Sequence, residues 1–430
     1  MKNFFLSVLM LALSGLVMGQ YRTDPVLENI LQSDTNSVLQ RLIREPDKYR
    51  VQIIYTQINR DASNRPHFTN YYFHVGRGLY FYPASTVKLP LALLSLEKLN
   101  HMHVQGVDKF TRLQFDSSFT GQKSLKKDST SETGYPSIAQ FIRKAFLISD
   151  NDAYNRMYEF LGQEELNRRL HAMGFQDTRI VRQFMPLNEF ENRHTNQVGF
   201  LDSRGKIIYV QPPAFNKDSF QFSQKVKIGS GYLNARDSLI KEPMDFTRHN
   251  RIPLEDLQQM LQSALFPLSV PESKRFHLTA ADYLFIYQYL SQYPSETPFP
   301  KYDTAEFFDS YVKFYFREGG RQILRDIRVF NKAGWAYGFL TDVSYIVDFK
   351  NHIEFMLTAT VYANEDSILN DDTYEYDTIS FPFLNRVGQD IYQYDLHRKR
   401  KFRPDLQKFK LKYEHRDPSD TRTSIKEVDN

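Results

Sequence analysis

The chain has 430 residues, of which 41% are hydrophobic and 25% are charged, the balance of a folded protein with room for more than one domain. Its formal net charge of +4 is too small to indicate nucleic acid as a partner. The sequence has no cysteine, which excludes disulfides, a thiol nucleophile and cysteine metal ligands.

The first residues have the pattern of a secretory signal peptide. Lys2 supplies the positive charge, residues 4–13 are apolar, and Val17-Met18-Gly19 precedes the cleavage point. We therefore predict a signal peptide over 1–19 and a periplasmic or secreted bacterial protein. A membrane anchor is the alternative, but the apolar stretch is shorter than the ~20 residues of a span. No later segment is apolar enough to cross a bilayer, so no integral membrane segment is predicted after cleavage.

The first half of the mature chain reads as a helix, a hairpin and a run of helices. Residues 89–99 are apolar almost all round, which is typical of a buried central helix. Ser137 predicts the start of another helix because it is a good N-cap before an apolar periodic segment. The predicted elements are a helix over 24–45, strands over 51–58 and 71–75, and helices over 89–99, from 138, over 153–161 and over 164–173.

The second half ends in three strands and a helix. The predicted elements are a strand over 206–210, helices over 254–265 and 280–290, strands over 328–331, 343–349 and 353–362, and a helix over 379–396. Strands at both ends with helices between them favour one antiparallel sheet assembled from both ends of the chain.

We expect two domains. An α/β (α+β type) domain takes residues 20–84 and 275–397, and an all-helical domain takes 85–274 with an insertion at about 190–271. Residues 398–430 form a basic polar tail, with Arg398, Lys399 and Arg400 close together. We interpret it as solvated; the alternative is a patch for an anionic membrane or cell-wall polymer.

Three short motifs carry the chemistry: Ser85-Thr86-Val87-Lys88, Ser149-Asp150-Asn151 and Lys332-Ala333-Gly334. A serine needs a base within hydrogen-bond reach to become a nucleophile. Ser85 and Lys88 meet if a helix begins at Ser85, because i and i+3 share a face. Burial and a second cation lower the pKa of a lysine, as the base role requires. The free N–H groups of a helix start suit an oxyanion.

Each motif is weak when it stands alone. Ser-x-x-Lys recurs five more times, and Lys227-Ile228-Gly229 rivals the third motif. Ser85 differs because it opens the most buried helix, and Lys332 is preferred because strands surround it. The set, in this order and context, is therefore the informative signal.

The set resembles the penicillin-recognising serine hydrolases, specifically the class A β-lactamase-like group. The resemblance implies a five-stranded antiparallel sheet flanked by helices, a β-lactamase/transpeptidase-like fold. It implies Ser85 as the acylated nucleophile, Lys88 as proton acceptor and Ser149 as proton shuttle. It also implies that Asn151 binds the substrate amide and that Lys332 holds the substrate carboxylate. The oxyanion hole would be the backbone N–H groups of Ser85 and Trp335, with Gly334 beside them.

Two departures from that family concern substrate binding and deacylation. The middle of the third motif is Ala333 where the family has a hydroxyl, which removes a hydrogen bond to a charged group worth about 1.5–3 kcal/mol. Class A enzymes deacylate through a glutamate shortly before a Leu-Asn pair, but Gln183-Phe184-Met185-Pro186 precedes Leu187-Asn188 here. Glu189 and Glu191 could substitute; solvated loop positions are the alternative for both.

We predict an exported serine hydrolase, acylated at Ser85 by a β-lactam or a D-Ala-D-Ala-like amide and then hydrolysed, without a metal or organic cofactor. The alternatives are a D,D-peptidase or penicillin-binding acyl-transfer enzyme with slow deacylation, and a non-catalytic protein that binds cell-wall peptide. Trp335 could stack on substrate or pack. The expected partners are small-molecule β-lactams or peptidoglycan peptides.

Overall fold

A computed structural model describes residues 21–119, 121–222, 224–318, 321 and 323–427. The predicted signal peptide lies outside these residues. Within them, no helix combines the length and apolarity that crossing a membrane would require. The helices are α1 (Pro25–Gln32), α2 (Ser37–Arg44), α3 (Lys88–Met102), α4 (Ile138–Leu147), α5 (Asn151–Leu161), α6 (Gln163–Ala172), α7 (Leu254–Leu265), α8 (Ala280–Ser291) and α9 (Phe381–His397).

The strands form one large antiparallel sheet and several small ones. They are β1 (Gln52–Arg60), β2 (Pro66–Phe73), β3 (Arg112–Phe115), β4 (Val198–Leu201), β5 (Ile207–Gln211), β6 (Lys227–Ile228), β7 (Gly231–Leu233), β8 (Leu239–Ile240), β9 (Met244–Asp245), β10 (Ile327–Ala336), β11 (Phe339–Asp348), β12 (Ile353–Tyr362) and β13 (Ile368–Leu369). The large sheet has the order β10-β11-β12-β1-β2. Strands from the first and the last part of the chain therefore meet where β1 pairs with β12. The predicted five-stranded antiparallel sheet is confirmed.

Helices cover both faces of the large sheet. On one face, the side chains of α1, α2 and α9 pack with alternate strand residues such as Val329 and Ala333. On the other face, Phe330 and Val343 join a larger core with the apolar side chains of α3, α4, α5, α7 and α8. The strands β10 to β12 are buried throughout most of their length because both faces are covered, which explains their continuous apolar pattern.

The β10–β11 hairpin ends in a two-residue turn. Tyr337 and Gly338 have φ values of 53° and 77°, as a type I′ turn requires. The turn fixes the register in which Lys332 pairs with Val343 and Gly334 with Thr341. The third motif therefore lies on β10, the edge strand of the sheet.

The first predicted helix is in fact two helices. Asn36 accepts a hydrogen bond from the Leu39 N–H (3.0 Å) and caps α2, while Asp34 accepts one from the Asn36 N–H (2.7 Å). The sequence Ser33-Asp34-Thr35-Asn36 is rich in turn formers that compete with helical hydrogen bonds. The apolar periodicity continues through this break because both helices face the same core.

The region predicted as all-helical also contains short strands. The strands β3, β4 and β5 form a three-stranded sheet beside the helices, and the insertion adds the short pairs β6–β9 and β7–β8, with β13 beside β7. The strand predicted over 206–210 is β5; the other short strands have two to four residues, too few for a two-residue periodicity to stand out in the sequence. The predicted division into two domains stays a prediction.

The interpretation of residues 398–430 as a solvated tail is wrong at the points where the segment is anchored, although most of its described residues are exposed. Phe409 is 1% exposed and packs against the rings of Phe266, Phe330 and Tyr345. Arg398 and Arg400 are bound by the buried Asp395 carboxylate, so these two cations are not free for a polymer surface. In the sequence, Phe409 stands among many positively charged residues, and its burial was therefore not predicted.

Candidate active site

Ser85 lies in a short 3₁₀ turn, Ala84–Val87, which leads directly into α3. The turn begins with a strained residue, since Ala84 has a φ of 42°. The Thr86 N–H and hydroxyl both donate to the Pro83 carbonyl and hold the turn closed. Thr86 and Val87 are buried while Ser85 is half-buried, so the sequence presents one hydroxyl to the cleft.

Lys88 is fully buried at the start of α3, and its amine lies 2.8 Å from the Ser85 Oγ. It also contacts the Asn151 Oδ1 (2.7 Å) and the Ser149 carbonyl. A neutral amine fits these partners, because it donates to the two carbonyl-type oxygens and accepts the Ser85 hydroxyl proton. Burial lowers the pKa of Lys88 well below its usual value, the Lys332 charge lowers it further, and Asp150 opposes the shift.

Ser149 connects the two lysines. Its Oγ lies 3.2 Å from the Lys88 Nζ and 3.0 Å from the Lys332 Nζ. Its backbone is in the left-handed region with a φ of 61°. Asp150 fixes the turn because one carboxylate oxygen caps α5 at the Ala153 N–H (2.7 Å) and the other binds Lys144 (3.1 Å). The second motif therefore combines one hydroxyl that contacts both lysines with one structural carboxylate.

Lys332 is 1% exposed and donates to Ser149 and to the Ala333 carbonyl. Burial lowers the pKa of Lys332 to about 7; the Asp342 carboxylate opposes that shift and the Lys313 charge adds to it. Lys313 and Asp342 are linked through Asn331, whose Oδ1 accepts from Lys313 (2.6 Å) and whose Nδ2 donates to Asp342 (2.8 Å). No short motif or periodic pattern in the sequence links these three residues, because they meet only through tertiary packing.

Gly334 brings the sheet edge against the nucleophile turn. A Cβ at this position would lie 2.6 Å from the Ser85 backbone nitrogen and 2.8 Å from that of Thr86. Only glycine allows this approach. The neighbouring indole of Trp335 packs edge-on against Phe314 (5.4 Å), as one of the two predictions had it, and it also lines the cleft.

Phe184 occupies the loop position that faces Lys88. Asn155 fixes its backbone, accepting from the Phe184 N–H (2.8 Å) and donating to the Phe184 carbonyl (3.4 Å). The phenyl ring lies with its centroid 5.3 Å from the Lys88 Nζ and stacks on Tyr154 at 4.3 Å. Asn155 follows Asn151 by one helical turn, a spacing that could have pointed to this contact.

Both candidate loop glutamates bind partners other than Ser85 and Lys88. Glu189 pairs with Arg248 at the surface (2.6 Å), and Glu191 accepts from the Asn188 N–H (2.7 Å). The described partners of the Lys88 amine include no carboxylate. Burial raises the pKa of Glu159 to about 7, but this residue lies two turns along α5 from Asn151, about 12 Å away. Asn196 and Arg156 bind its oxygens.

A cleft of about 640 Å³ opens at Ser85, a size suited to a small molecule. Ser85, Asn151 and Trp335 line it together with the loop 182–186. Its outer walls are aromatic. Tyr82 and Tyr337 meet edge-on at 5.2 Å, and Phe246 and His249 of the insertion pack against Tyr82. The insertion therefore completes the wall of the cleft, and we call this space the Ser85 cleft.

Glu97, His101 and His277 bring potential metal-ligand atoms within 4.8 Å of one another, outside the Ser85 cleft. Both Glu97 oxygens already accept from Arg169, and one also accepts from the His277 N–H (2.7 Å). These contacts explain the Glu97 carboxylate, on α3, as the hydrogen-bond partner of Arg169.

Residues 35–205 of the 430 match the sequence model of a family described as the beta-lactamase enzyme family. The matched segment contains the first two motifs. A comparison with curated proteins gave no match.

Several solved structures are distantly similar. A β-lactamase from Xanthomonas campestris pv. campestris has 13% identity and a TM-score of 0.46, covering 86% of this chain and 97% of its own. An ancestral class A β-lactamase has 16% identity and a TM-score of 0.44, with coverages of 85% and 99%. A β-lactamase from Desulfarculus baarsii has 14% identity and a TM-score of 0.43, with coverages of 87% and 98%. Likenesses this distant say nothing about substrate.

The sheet order, the motif order and the family match confirm the predicted resemblance to the penicillin-recognising serine hydrolases. Residues 35–205 are similar to the β-lactamase family, and the fold of the chain is β-lactamase-like.

Proposed function

We propose that this protein is a serine acyl-transfer enzyme, acylated at Ser85 by a β-lactam or a D-Ala-D-Ala-like amide. The observation that carries the proposal is the 2.8 Å contact between the Ser85 Oγ and the fully buried Lys88 amine. A lowered pKa favours the neutral form of the lysine, and a neutral amine can accept the proton of the serine hydroxyl.

The step is balanced within the site. The Ser85 oxygen attacks the carbonyl carbon, the carbon–nitrogen bond of the amide breaks, and Lys88 takes the hydroxyl proton. Ser149, in contact with both lysines, passes a proton to the departing nitrogen. The products are an ester on Ser85 and a neutral amine. Asn151 binds the substrate amide, Lys332 holds the substrate carboxylate, and the N–H groups of Ser85 and Trp335 stabilise the oxyanion.

We further propose that the ester persists, so that the enzyme behaves as a penicillin-binding acyl-transfer enzyme rather than a fast β-lactamase. Hydrolysis needs a base for the attacking water. The loop side chain facing Lys88 is the phenyl ring of Phe184, which can neither accept a proton nor hold a water by a strong hydrogen bond. A non-catalytic binding role is disfavoured, because burying two lysines without a charge partner at each amine is costly unless their proton transfer is used.

Export to the bacterial periplasm is also proposed, on the positive charge at Lys2, the apolar segment 4–13 and the small residue Gly19. We expect the protein recovered from the periplasm to begin at Gln20. Amino-terminal sequencing of the secreted fraction tests this, and an intact Met1 would contradict it.

Replacement of Ser85 by alanine should abolish covalent labelling, because among the described residues the only other hydroxyl that contacts Lys88 is that of Ser149. Intact-mass analysis during a time course with benzylpenicillin should show one adduct on the wild type and none on Ser85→Ala. A Ser149→Ala variant is the matched control: it should still be labelled, but more slowly. An adduct on Ser85→Ala would refute the assignment.

Introducing a base at position 184 should shorten the life of the acyl-enzyme. A positioned general base contributes about 10²–10⁴-fold, so we expect Phe184→Glu to deacylate at least about tenfold faster than the wild type. Phe184→Gln has the same size without the base and is the control, since both variants lose the stacking on Tyr154. Equal deacylation of the two variants, or rapid drug turnover by the wild type, would contradict the proposed cause of persistence.

The rate of acylation should fall at both ends of the pH range. Lys332 holds the substrate carboxylate only while protonated; since its pKa is about 7, the rate should fall as pH rises through about 7. Lys88 acts as base only while neutral, so the rate should fall again as pH drops through its lowered pKa. Second-order labelling rates from about pH 5 to about pH 9 measure both limits. Lys332→Arg keeps its charge and should lose the alkaline limit; an unchanged limit would assign it to another group.

A further inference from the structure

We propose that Arg182 forms an anion-binding subsite of the Ser85 cleft, and that the preferred acyl donor carries a carboxylate on its acyl side chain. This inference rests on the proposed acylation of Ser85 and names the substrate class of the same site. It concerns a cation that none of the three motifs contains.

The backbone of Arg182 is held rigidly at the cleft wall. Its N–H donates to the Asn250 Oδ1 (2.9 Å), and its carbonyl accepts from the Asn250 Nδ2 (3.1 Å) and the Tyr154 hydroxyl (2.6 Å). Arg182 stands two residues before Phe184, which faces Lys88. The same loop therefore positions both the phenyl ring of Phe184, which cannot act as a base, and the Arg182 guanidinium.

The side chain of Arg182 has hydrogen-bond donors that are without a partner among the described residues. It is half-buried, and its Nε donates to the Arg248 carbonyl (3.1 Å). In the described part of the chain, no carboxylate lies within 4.0 Å of it, and its two terminal nitrogens have no hydrogen-bond partner. Two nearby arginines are paired, since Arg77 binds Asp256 at 2.9 Å and Arg248 binds Glu189 at 2.6 Å. Arg179 and Arg251 also have no carboxylate partner among the described residues, but neither of them lines the Ser85 cleft, as Arg182 does.

The walls around Arg182 suit a bound anion. Tyr82, Tyr337 and His249 line the same cleft and exclude part of the solvent. Burial lowers the pKa of His249 to about 3, and the Arg182 charge lowers it further, so His249 is neutral and does not compete for the anion. A guanidinium beside aromatic walls binds a carboxylate through two parallel hydrogen bonds, in a setting where water screens the pair less than at an open surface.

Arg182 and Lys332 serve different parts of a substrate. Lys332 is buried behind Ser149, where it reaches the leaving-group side of the reaction. Arg182 lines the outer wall with the loop 182–186, beside the space left for the acyl side chain. Asp372 lines the same cleft, but its side chain is exposed and its field is screened by solvent. The acyl side chain of a substrate would therefore lie near the Arg182 guanidinium, whose positive charge is screened less by solvent than the negative charge of Asp372.

Three penicillins that differ in one substituent test the subsite. Benzylpenicillin has a neutral side chain, α-carboxybenzylpenicillin adds one carboxylate, and α-aminobenzylpenicillin adds one ammonium at the same carbon. Second-order acylation rates are measured by intact mass for the wild type, Arg182→Gln and Arg179→Gln. Arg179 is the matched control, because it stands three residues earlier, lines a different cavity and loses the same charge.

We expect the ratio of carboxybenzyl to benzyl rates to drop about tenfold in Arg182→Gln and to remain at the wild-type value in Arg179→Gln. A ratio is read because a general loss of folding or reactivity affects both drugs alike. An unchanged ratio in Arg182→Gln would overturn the subsite, and a wild-type preference for the amino compound would overturn it in favour of Asp372. If none of the drugs forms an adduct with the wild type, the proposed acylation fails and the subsite fails with it.

Discussion

Removal of the Lys88 amine from water is the constraint on which the rest of the site depends. Burial disfavours an ammonium in such a place and lowers the pKa of Lys88, whose amine lies among the Ser85 hydroxyl, the Asn151 Oδ1 and the Ser149 carbonyl. To bury it, the nucleophile turn must be enclosed between the sheet edge and α5. The close approach at Gly334 and the strained backbone of Ser149 both follow from that enclosure.

The sequence was sufficient for the parts of this arrangement that are short or strongly periodic. The apolar run from Leu89 predicted the buried helix, and the motif order predicted which distant residues meet at Ser85. The break between α1 and α2 was missed because both helices present apolar residues to one core. The docked tail was missed because one aromatic anchor, Phe409, is hidden in a basic segment. Pairings such as Lys313 with Asn331 depend on tertiary packing and leave no local pattern.

The long insertion has a structural role in the cleft that its sequence did not indicate. Phe246 is fully buried between Tyr82 and Tyr337, at 5.7 Å and 5.4 Å between ring centroids. Asn250, from the same insertion, fixes the backbone of Arg182. The insertion thus supplies both the aromatic wall and the rigidity of the loop opposite Ser85. The part of the insertion near Ser85 therefore contributes aromatic surface rather than polar groups.

Two departures from the family pattern bear differently on the proposed reaction. Ala333 lacks a hydroxyl at the middle of the third motif, but it is buried against the helices of the opposite sheet face and does not line the Ser85 cleft. Phe184 lines the cleft and faces Lys88, so under the proposed function its phenyl ring leaves that side of the cleft without a group to order a water molecule for attack. The contact between the Lys88 amine and the Ser149 hydroxyl lies deeper in the site and involves neither Ala333 nor Phe184. Under the proposed function, such a site keeps the groups needed for acylation but has no base at position 184 for hydrolysis, which leaves the acyl group for an acceptor better than water.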